Sequence, residues 1–156
     1  MRIVMPILDR ISIYYLVIIF LLSLYFLGTF TFGLQKVLMQ ALPAVFTTTA
    51  AGLFFDYLEL KRWSKPLTPL ITGLIIGLVA QFGASSIILA IIGLVAMVIK
   101  FLVKWDGRHI FNPAGAGLFV GMFLGSYPSW WVGGENFWIY LIWIPILLYK
   151  LKRWTP

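Results

Sequence analysis

The residues best suited to bind a ligand lie at positions 104–115, between two apolar stretches. The segment reads Lys-Trp-Asp-Gly-Arg-His-Ile-Phe-Asn-Pro-Ala-Gly and concentrates charge in a chain that otherwise avoids it. Asn112 is suited to cap a helix with its side-chain carbonyl, and Pro113 suits the first helical position, where a backbone N–H would lack a partner. The predicted helix directs its positive dipole end toward Arg108 and His109. Its free N–H groups and the arginine predict a site for a phosphate or carboxylate.

Each of these residues also has a structural interpretation. A single Asn-Pro pair often does no more than start a helix. The side chains of Lys100, Lys104 and Arg108 can extend toward lipid headgroups. His109 can act as a hydrogen-bonding group instead of exchanging protons near neutral pH. Headgroup contact explains Lys100 least well, because Lys100 lies deepest in the apolar pattern.

A second helix start is predicted at Thr68 and Pro69, with Thr68 as the cap. Thr72 and Gly73 then lie about one turn inside that helix. If both predicted starts lie on the same side of a membrane, their positive ends can converge on one ligand. That convergence is a hypothesis about spatial proximity.

Glycines recur at intervals of four in two of the apolar stretches. Gly117, Gly121 and Gly125 are predicted to share one helix face, and Gly73 and Gly77 share another. Such faces favour close helix packing. The alternative is that they approach a flat ligand.

The second apolar stretch contains three threonines at 47–49, one turn after Pro43. Their hydroxyls are predicted to bond carbonyls freed by a proline kink, or alternatively to line a polar pathway. Asp56 and Glu59 follow near the basic residues 61–62 and are predicted to form interfacial ion pairs.

The composition predicts a single integral membrane domain over 1–156. The chain is 62% hydrophobic and 11% charged, whereas soluble domains are about 25% charged. The uncharged stretches 11–35, 37–55 and 66–99 are long enough to cross a bilayer. The net charge of +7 is attributed to cytoplasmic loops and not to nucleic-acid binding. With no cysteine and one histidine, no metal site and no hydrolytic or nucleophilic catalytic site are predicted.

The apolar periodicity predicts an all-α fold of six transmembrane helices, of which the fifth is short. The predicted helices lie near 11–31, 37–56, 67–83, 85–103, 113–128 and 136–150. Six crossings place both termini on one side. If that side is cytoplasmic, all but Lys36 of the 12 basic residues lie there, which predicts an inner (plasma) membrane protein of fixed orientation. A same-facing homo-oligomer or a complex with other membrane subunits is then favoured over dual topology. The outer connection 127–136 carries Trp130 and Trp131, which are predicted to lie in an interfacial aromatic belt.

Two blocks resemble the NqrB/RnfD family, whose members are membrane subunits of Rnf-type electron transport complexes and of the sodium-pumping NADH:quinone oxidoreductase. The first block is Thr-Gly-Leu-Ile-Ile-Gly-Leu at 72–78. The second runs from Lys100 through Gly107 to Phe-Asn-Pro-Ala at 111–114. The resemblance covers 66–125, about the first half of a full-length family member.

The resemblance implies a helical fold of urea-transporter-like ancestry, membership of a redox-linked membrane assembly, and flavin (FMN or riboflavin) as cofactor. The flavin is expected to be noncovalent, because the chain lacks the Ser-Gly-Ala-Thr type motif that carries covalent FMN in the family. Lys100 is expected to offset negative charge on the reduced ring. A half-length relative is also expected to complete its bundle with itself or with another subunit. The implied cofactor-binding residues are Thr72, Gly73, Lys100, Arg108, His109, Asn112, Pro113 and Gly117.

Two other functions stay open at this stage. The first is a small transporter or channel for flavin or another solute, in which the same cap and arginine recognise an anion. The second is a noncatalytic assembly subunit whose glycine faces bind partner helices.

Overall fold

The computed structural model describes residues 11–106, 108–133 and 137–152, except the side chains of Arg108 and Lys152. The described chain is all-helical apart from one small hairpin, which confirms the all-α part of the predicted fold class. Its six helices are α1 (Ile13–Phe32), α2 (Leu34–Leu60), α3 (Leu67–Val79), α4 (Ser86–Leu102), α5 (Pro113–Phe123) and α6 (Phe137–Lys152). The hairpin pairs β1 (Lys104–Trp105) with β2 (Arg108–His109) in antiparallel register.

The helices differ in length more than the sequence pattern predicts. Among the described residues, α1 with 20 residues and α2 with 27 are long and apolar enough to cross a membrane. The other four are apolar but shorter, and α5 has only 11 residues. At 1.5 Å per residue, α5 extends about 17 Å, roughly half the hydrocarbon thickness of a bilayer. The predicted short fifth helix is therefore confirmed, and six crossings stay a prediction.

Helix α3 occupies the centre of the bundle. It contacts α1, α2, α4 and α5, whereas α6 packs against α1. On one side of α3, Ile76 joins a cluster with Leu89 and Ile92 of α4. On the other side, Leu78 joins a cluster with Leu24 of α1 and Val37 of α2. Because α3 contributes to both clusters, it connects the two halves of the core.

The glycine faces are filled by neighbouring helices. A Cβ added at Gly73 would lie 2.6 Å from the Cα of Val45 in α2, and one at Gly117 would lie 2.6 Å from the carbonyl oxygen of Ile92 in α4. Both distances are too short for a side chain, so glycine is required for these helices to approach. The packing interpretation of the glycine faces is confirmed. Since Gly121 also faces Ile92, these faces are used within the chain and are not free to bind partner helices.

Helix α5 ends at Phe123 and not near 128, as the sequence pattern predicts. Gly125 adopts φ +81° and does not continue the glycine face. The amide of Gly125 donates to the carbonyl of Met122 at 3.1 Å, and that of Ser126 donates to Gly121 at 3.0 Å. These two bonds form a Schellman motif, in which glycine reaches the left-handed conformation without a steric penalty.

Helix α3 also ends earlier than predicted, at Val79, because a side chain of α2 binds its last carbonyls. Gln40 is 2% exposed. Its Nε2 donates to the carbonyl oxygens of Gly77 at 3.3 Å and Gln81 at 3.1 Å, and its Oε1 accepts from the amide of Gly83 at 3.1 Å. One buried amide therefore satisfies both the end of α3 and the turn after it.

Trp131 is half-buried and packs against this end of the bundle, and its place in an interfacial aromatic belt stays a prediction. Its indole N–H donates to the carbonyl of Gly77 at 3.0 Å. Its ring lies 4.6 Å from that of Phe82 and 5.4 Å from that of Phe32, centroid to centroid. Trp130 is 47% exposed and donates to the hydroxyl of Tyr140 at 2.7 Å, and its place in a belt stays a prediction.

Helix α2 runs unbroken through Pro43. Thr47 Oγ1 donates to the carbonyl of Pro43 at 2.8 Å, and Thr48 Oγ1 donates to that of Ala44 at 2.8 Å. The two hydroxyls thus bond backbone one turn before them, as the structural interpretation requires. The carbonyl that a proline frees lies four residues before it, at Met39, so the acceptors differ from those predicted.

Candidate functional site

The beginning of α5 has the predicted local geometry. Asn112 is the N-cap, and its Oδ1 accepts a hydrogen bond from the amide of Ala114 at 3.1 Å. Pro113 occupies the first helical position. Asn112 is exposed, so a ligand can reach the helix start. The predicted cap is confirmed, and its location leaves the N-terminal dipole of α5 accessible.

An apolar groove of about 580 Å³ opens beside this cap, between the last turns of α4 and the outer face of α5. Such a volume lies in the range of small-molecule sites. Asn112 is the polar side chain at its edge. The remaining lining residues are apolar or glycine: Ile99, Val103, Phe111, Gly115, Ala116, Phe119 and Val120.

A hairpin connects α4 to the start of α5, and the apolar pattern of the sequence did not predict it. Lys104 pairs with His109, and Trp105 pairs with Arg108. Asp106 in the turn has φ +50°. The Asp-Gly dipeptide at 106–107 is a strong hairpin signal and identifies the turn in retrospect. The sheet holds the exposed His109 and the backbone of Arg108 ahead of Asn112, while the guanidinium of Arg108 lies outside the described atoms.

Lys100 projects away from the groove and toward α3. Its Nζ donates to Thr68 Oγ1 at 3.1 Å, whereas Ile99 and Val103 of the same helix line the groove. The prediction that Thr68 caps α3 is wrong. The helix begins at Leu67 and makes no side-chain cap bond. The Thr68 hydroxyl instead accepts from a lysine of another helix, a partner that local sequence does not reveal.

A cluster of charges joins the ends of α2 and α4. Lys104 Nζ lies 2.7 Å from both carboxylate oxygens of Glu59. Both Lys100 and Lys104 lie over the ring of Phe101, at 5.4 and 5.1 Å from its centroid. Phe101 in turn stacks on Phe55 at 4.9 Å. Glu59 therefore forms its predicted ion pair with a lysine of β1, just after α4, and not with the adjacent basic residues 61–62.

The structure divides the predicted site residues into two groups. Thr72 is 7% exposed and its hydroxyl donates to the carbonyl of Thr68 at 3.0 Å, and Gly73 packs against α2. Asn112 and Pro113 instead lie at the groove between α4 and α5. Thr72 and Gly73 do not line that groove, and Gly117 faces α4 as described above. A single ligand at both helix starts therefore stays a hypothesis.

Comparison of the chain with protein-family models, with curated proteins and with solved structures gives no match. The NqrB/RnfD resemblance thus rests on the residues quoted for it. The chemistry available at the site is that of an exposed helix N-terminus beside an apolar groove. Such a site suits a flat apolar group that carries an anionic or polar chain.

Proposed function

We propose that the protein is an integral membrane subunit of a flavin-dependent electron-transfer system and that the groove beside Asn112 holds noncovalent FMN or riboflavin. The observation that carries this proposal is the combination of an apolar groove with an accessible helix N-terminus at one edge. Flavin has the same division, with a flat ring system at one end and a polar ribityl chain at the other. When bound, the flavin supplies the redox chemistry, and the protein supplies binding and orientation.

The membrane location is supported by the exterior of the bundle. Large apolar side chains are exposed on α1, α2, α4, α5 and α6, whereas soluble monomers rarely expose contiguous apolar patches above a few hundred Å². Examples, one or two from each helix, are Phe26, Phe30, Phe46, Phe54, Ile87, Phe119, Phe123, Trp138 and Ile142, together with Leu70 partly exposed on α3.

The orientation is supported by the positions of charge. Between residues 56 and 65 and between 100 and 106 the described chain carries most of its charged side chains, and these segments lie at the same end of the bundle. Lys36 lies at the opposite end, near Gly83. The positive-inside rule places the charge-rich end in the cytoplasm. All six helices are then assigned to the bilayer, with α5 reaching only part of its thickness.

Within the groove, each residue has a definite role in the proposal. Phe111 and Phe119 provide aromatic faces for the ring system, and Gly115 leaves space beside them, since a Cβ there would meet only Asn112 at 3.9 Å. The free N–H groups after Asn112 bind the phosphate or the ribityl oxygens. Lys100 and Thr72 have no part in this groove.

The test is an absorption spectrum of the protein purified in mild detergent, before and after incubation with FMN or riboflavin. The proposal expects bound flavin in the wild type and its loss in Gly115→Leu, because leucine fills the groove. Helix propensity favours leucine over glycine by about 1 kcal/mol, so this loss is not expected to come from unfolding. A preparation that stays colourless after incubation contradicts the flavin assignment. Solute uptake into liposomes without an electron donor would instead favour a transporter.

A further inference from the structure

The connection between α2 and α3 carries three cations that the proposed flavin site does not use. It consists of residues 61–65, Lys-Arg-Trp-Ser-Lys, which we call the cationic loop. Lys61, Arg62 and Lys65 are exposed. None of the three has an ion-pair partner in the part of the chain that the structure describes. Their charges are therefore available to a partner outside the chain.

The carboxylates closest to this loop in sequence are already engaged. Asp56 accepts a hydrogen bond from the hydroxyl of Ser64, and Glu59 forms the ion pair with Lys104. The acidic groups thus bond within the bundle and leave the basic side chains of the loop outside. The surface of the loop is consequently complementary to an anion.

The loop also presents an ordered aromatic side chain. Trp63 is 71% exposed and stacks on Tyr57 with 5.0 Å between ring centroids. The amide of Lys61 donates to the carbonyl of Tyr57 at 2.9 Å, which anchors the loop to the last turn of α2. A tryptophan next to basic residues is typical of a protein segment at a membrane interface, where the indole lies at headgroup level.

An apolar groove lies farther back along α2, and the member of its lining nearest to the loop in sequence, Phe55, precedes Lys61 by six residues. The groove has a volume of about 610 Å³ and lies between α2 and α4. Its α2 wall includes Phe46, Ala50 and Phe54, which are spaced by four residues and so form one stripe. Tyr57 continues that stripe toward the cationic loop. The one hydroxyl in the lining, that of Thr47, donates to its own helix backbone, so the groove offers apolar contact.

We propose that the cationic loop and this groove together seat one anionic phospholipid. The phosphate contacts Lys61, Arg62 and Lys65, Trp63 lies at the level of the glycerol, and an acyl chain follows the stripe of Phe46 to Phe54. The occupant is a lipid and not a soluble anion, because Phe55 of the groove and Lys61 of the loop are six residues apart. That spacing is about 9 Å along a helix, and one molecule with both a charged headgroup and an acyl chain spans it. This inference rests on the membrane location proposed above and is independent of the flavin.

The test is a titration of the detergent-solubilised protein with phosphatidylglycerol and, separately, phosphatidylcholine, with bound lipid counted by mass spectrometry of the intact complex. Phosphatidylglycerol is expected to bind more tightly. Each basic residue near a lipid surface contributes about fivefold in affinity, so Arg62→Gln should weaken phosphatidylglycerol binding about fivefold. The matched control is Lys36→Gln, which removes one exposed charge at the opposite end and should leave the affinity unchanged.

A second pair of variants tests the acyl groove and separates this inference from the flavin proposal. Ala50→Leu narrows the groove between α2 and α4 and should weaken binding of both lipids while flavin binding stays unchanged. Ala116→Leu narrows the groove beside Asn112, and it should weaken flavin binding while the binding of both lipids stays unchanged. Both positions are on the bundle surface in open grooves, so folding should tolerate either leucine.

Each outcome bears on one proposal or both. Equal affinity for the two lipids, or equal losses in Arg62→Gln and Lys36→Gln, overturns the lipid seat and leaves the flavin proposal standing. Selective phosphatidylglycerol binding by a protein that takes up no flavin overturns only the flavin proposal. A protein that remains monomeric in solution without detergent overturns both.

Discussion

The two ends of the helix bundle are stabilised by different interactions. One end comprises residues 80–86 and 124–131, and we call it the hydrogen-bonded end. Here three groups bind the end of α3. They are the buried side-chain amide of Gln40, the indole of Trp131 and the backbone amide of Ser129, which donates to the carbonyl of Val79 at 2.6 Å. The other end comprises residues 56–66 and 100–112, and we call it the charged end. Its contacts in the described chain are the partly exposed ion pair of Lys104 with Glu59, hydrogen bonds of hydroxyl groups, and a hairpin of two short strands.

Because of this difference, we expect one end to contribute most to stability and the other to present groups that can bind ligands. Removing one partner of a buried hydrogen bond leaves an unsatisfied group that costs about 1–3 kcal/mol. An exposed ion pair contributes about 0–1 kcal/mol. The hydrogen-bonded end is therefore expected to determine the stability of the bundle. The charged end contributes less to folding and keeps its polar groups accessible, which is what the proposed flavin and lipid sites need.

The largest expected effect is at Trp131. Replacing it by alanine removes the hydrogen bond to Gly77 and the ring contacts with Phe32 and Phe82. We expect a loss of about 3 kcal/mol in the free energy of unfolding, measured in detergent by the midpoint of SDS-induced unfolding. Trp138→Ala is the matched control, because Trp138 is 75% exposed. If the two variants unfold at the same midpoint, the hydrogen-bonded end does not determine stability.

Gln40 is expected to have the next largest effect. Alanine at this position leaves the carbonyls of Gly77 and Gln81 and the amide of Gly83 without their partner, with a cost of about 2 kcal/mol. Gln35→Ala, at an exposed position of the same helix, should change the midpoint little. A Gln40→Ala protein as stable as the Gln35→Ala protein would contradict the role assigned to the buried amide.

A pair of cap variants compares the two ends directly. Asn112 caps α5 at the charged end, and Ser85 caps α4 at the hydrogen-bonded end, where its hydroxyl accepts from the amide of Ile87 at 3.3 Å. Alanine at either position should cost about 1 kcal/mol of stability. Only Asn112→Ala should also weaken flavin binding, measured by titration of the flavin absorbance. Equal flavin affinities in the two variants would show that the cap at Asn112 does not contribute to flavin binding.

The smallest effect is expected at Glu59. Glutamine there removes the charge attraction to Lys104, whose side chain is 28% exposed while that of Glu59 is 51% exposed. The loss of stability should be below about 1 kcal/mol and should disappear at high salt, because solvent and ions screen the pair. A loss as large as that of Gln40→Ala would remove the distinction between the two ends.

The sequence predicted those features that depend on neighbouring residues. The start of α5 follows from Asn112 and Pro113, and the bounds predicted for α4, 85–103, differ by one residue at each end from Ser86–Leu102. Capping, proline geometry and apolar runs act over one or two turns, so one stretch of chain contains the whole signal. The differences at Gly125 and at 106–107 are also local. Gly125 was predicted to continue a helix face although glycine is a known helix-ending residue, and the Asp-Gly turn signal at 106–107 was not used.

Features that depend on residues distant in the chain carry no local sequence signal. The end of α3 is set by Gln40 and Trp131, which lie 37 and 54 residues from Gly77 along the chain. Nothing near Lys100 indicates that it bonds Thr68, 32 residues away. The two walls of the groove beside Asn112 also come from different helices.

The amino-acid order alone thus specified an all-helical, strongly apolar chain with a capped helix start beside its basic residues, since local backbone preferences and side-chain polarity decide those properties. Packing of the helices decided which polar groups became internal bonds and which stayed accessible. The reason is that a side chain's partner depends on the direction in which its helix face points, and contacts with other helices set that direction. Gln40 and Asn112 are both amides, yet one is buried in the bundle and the other is exposed at its edge.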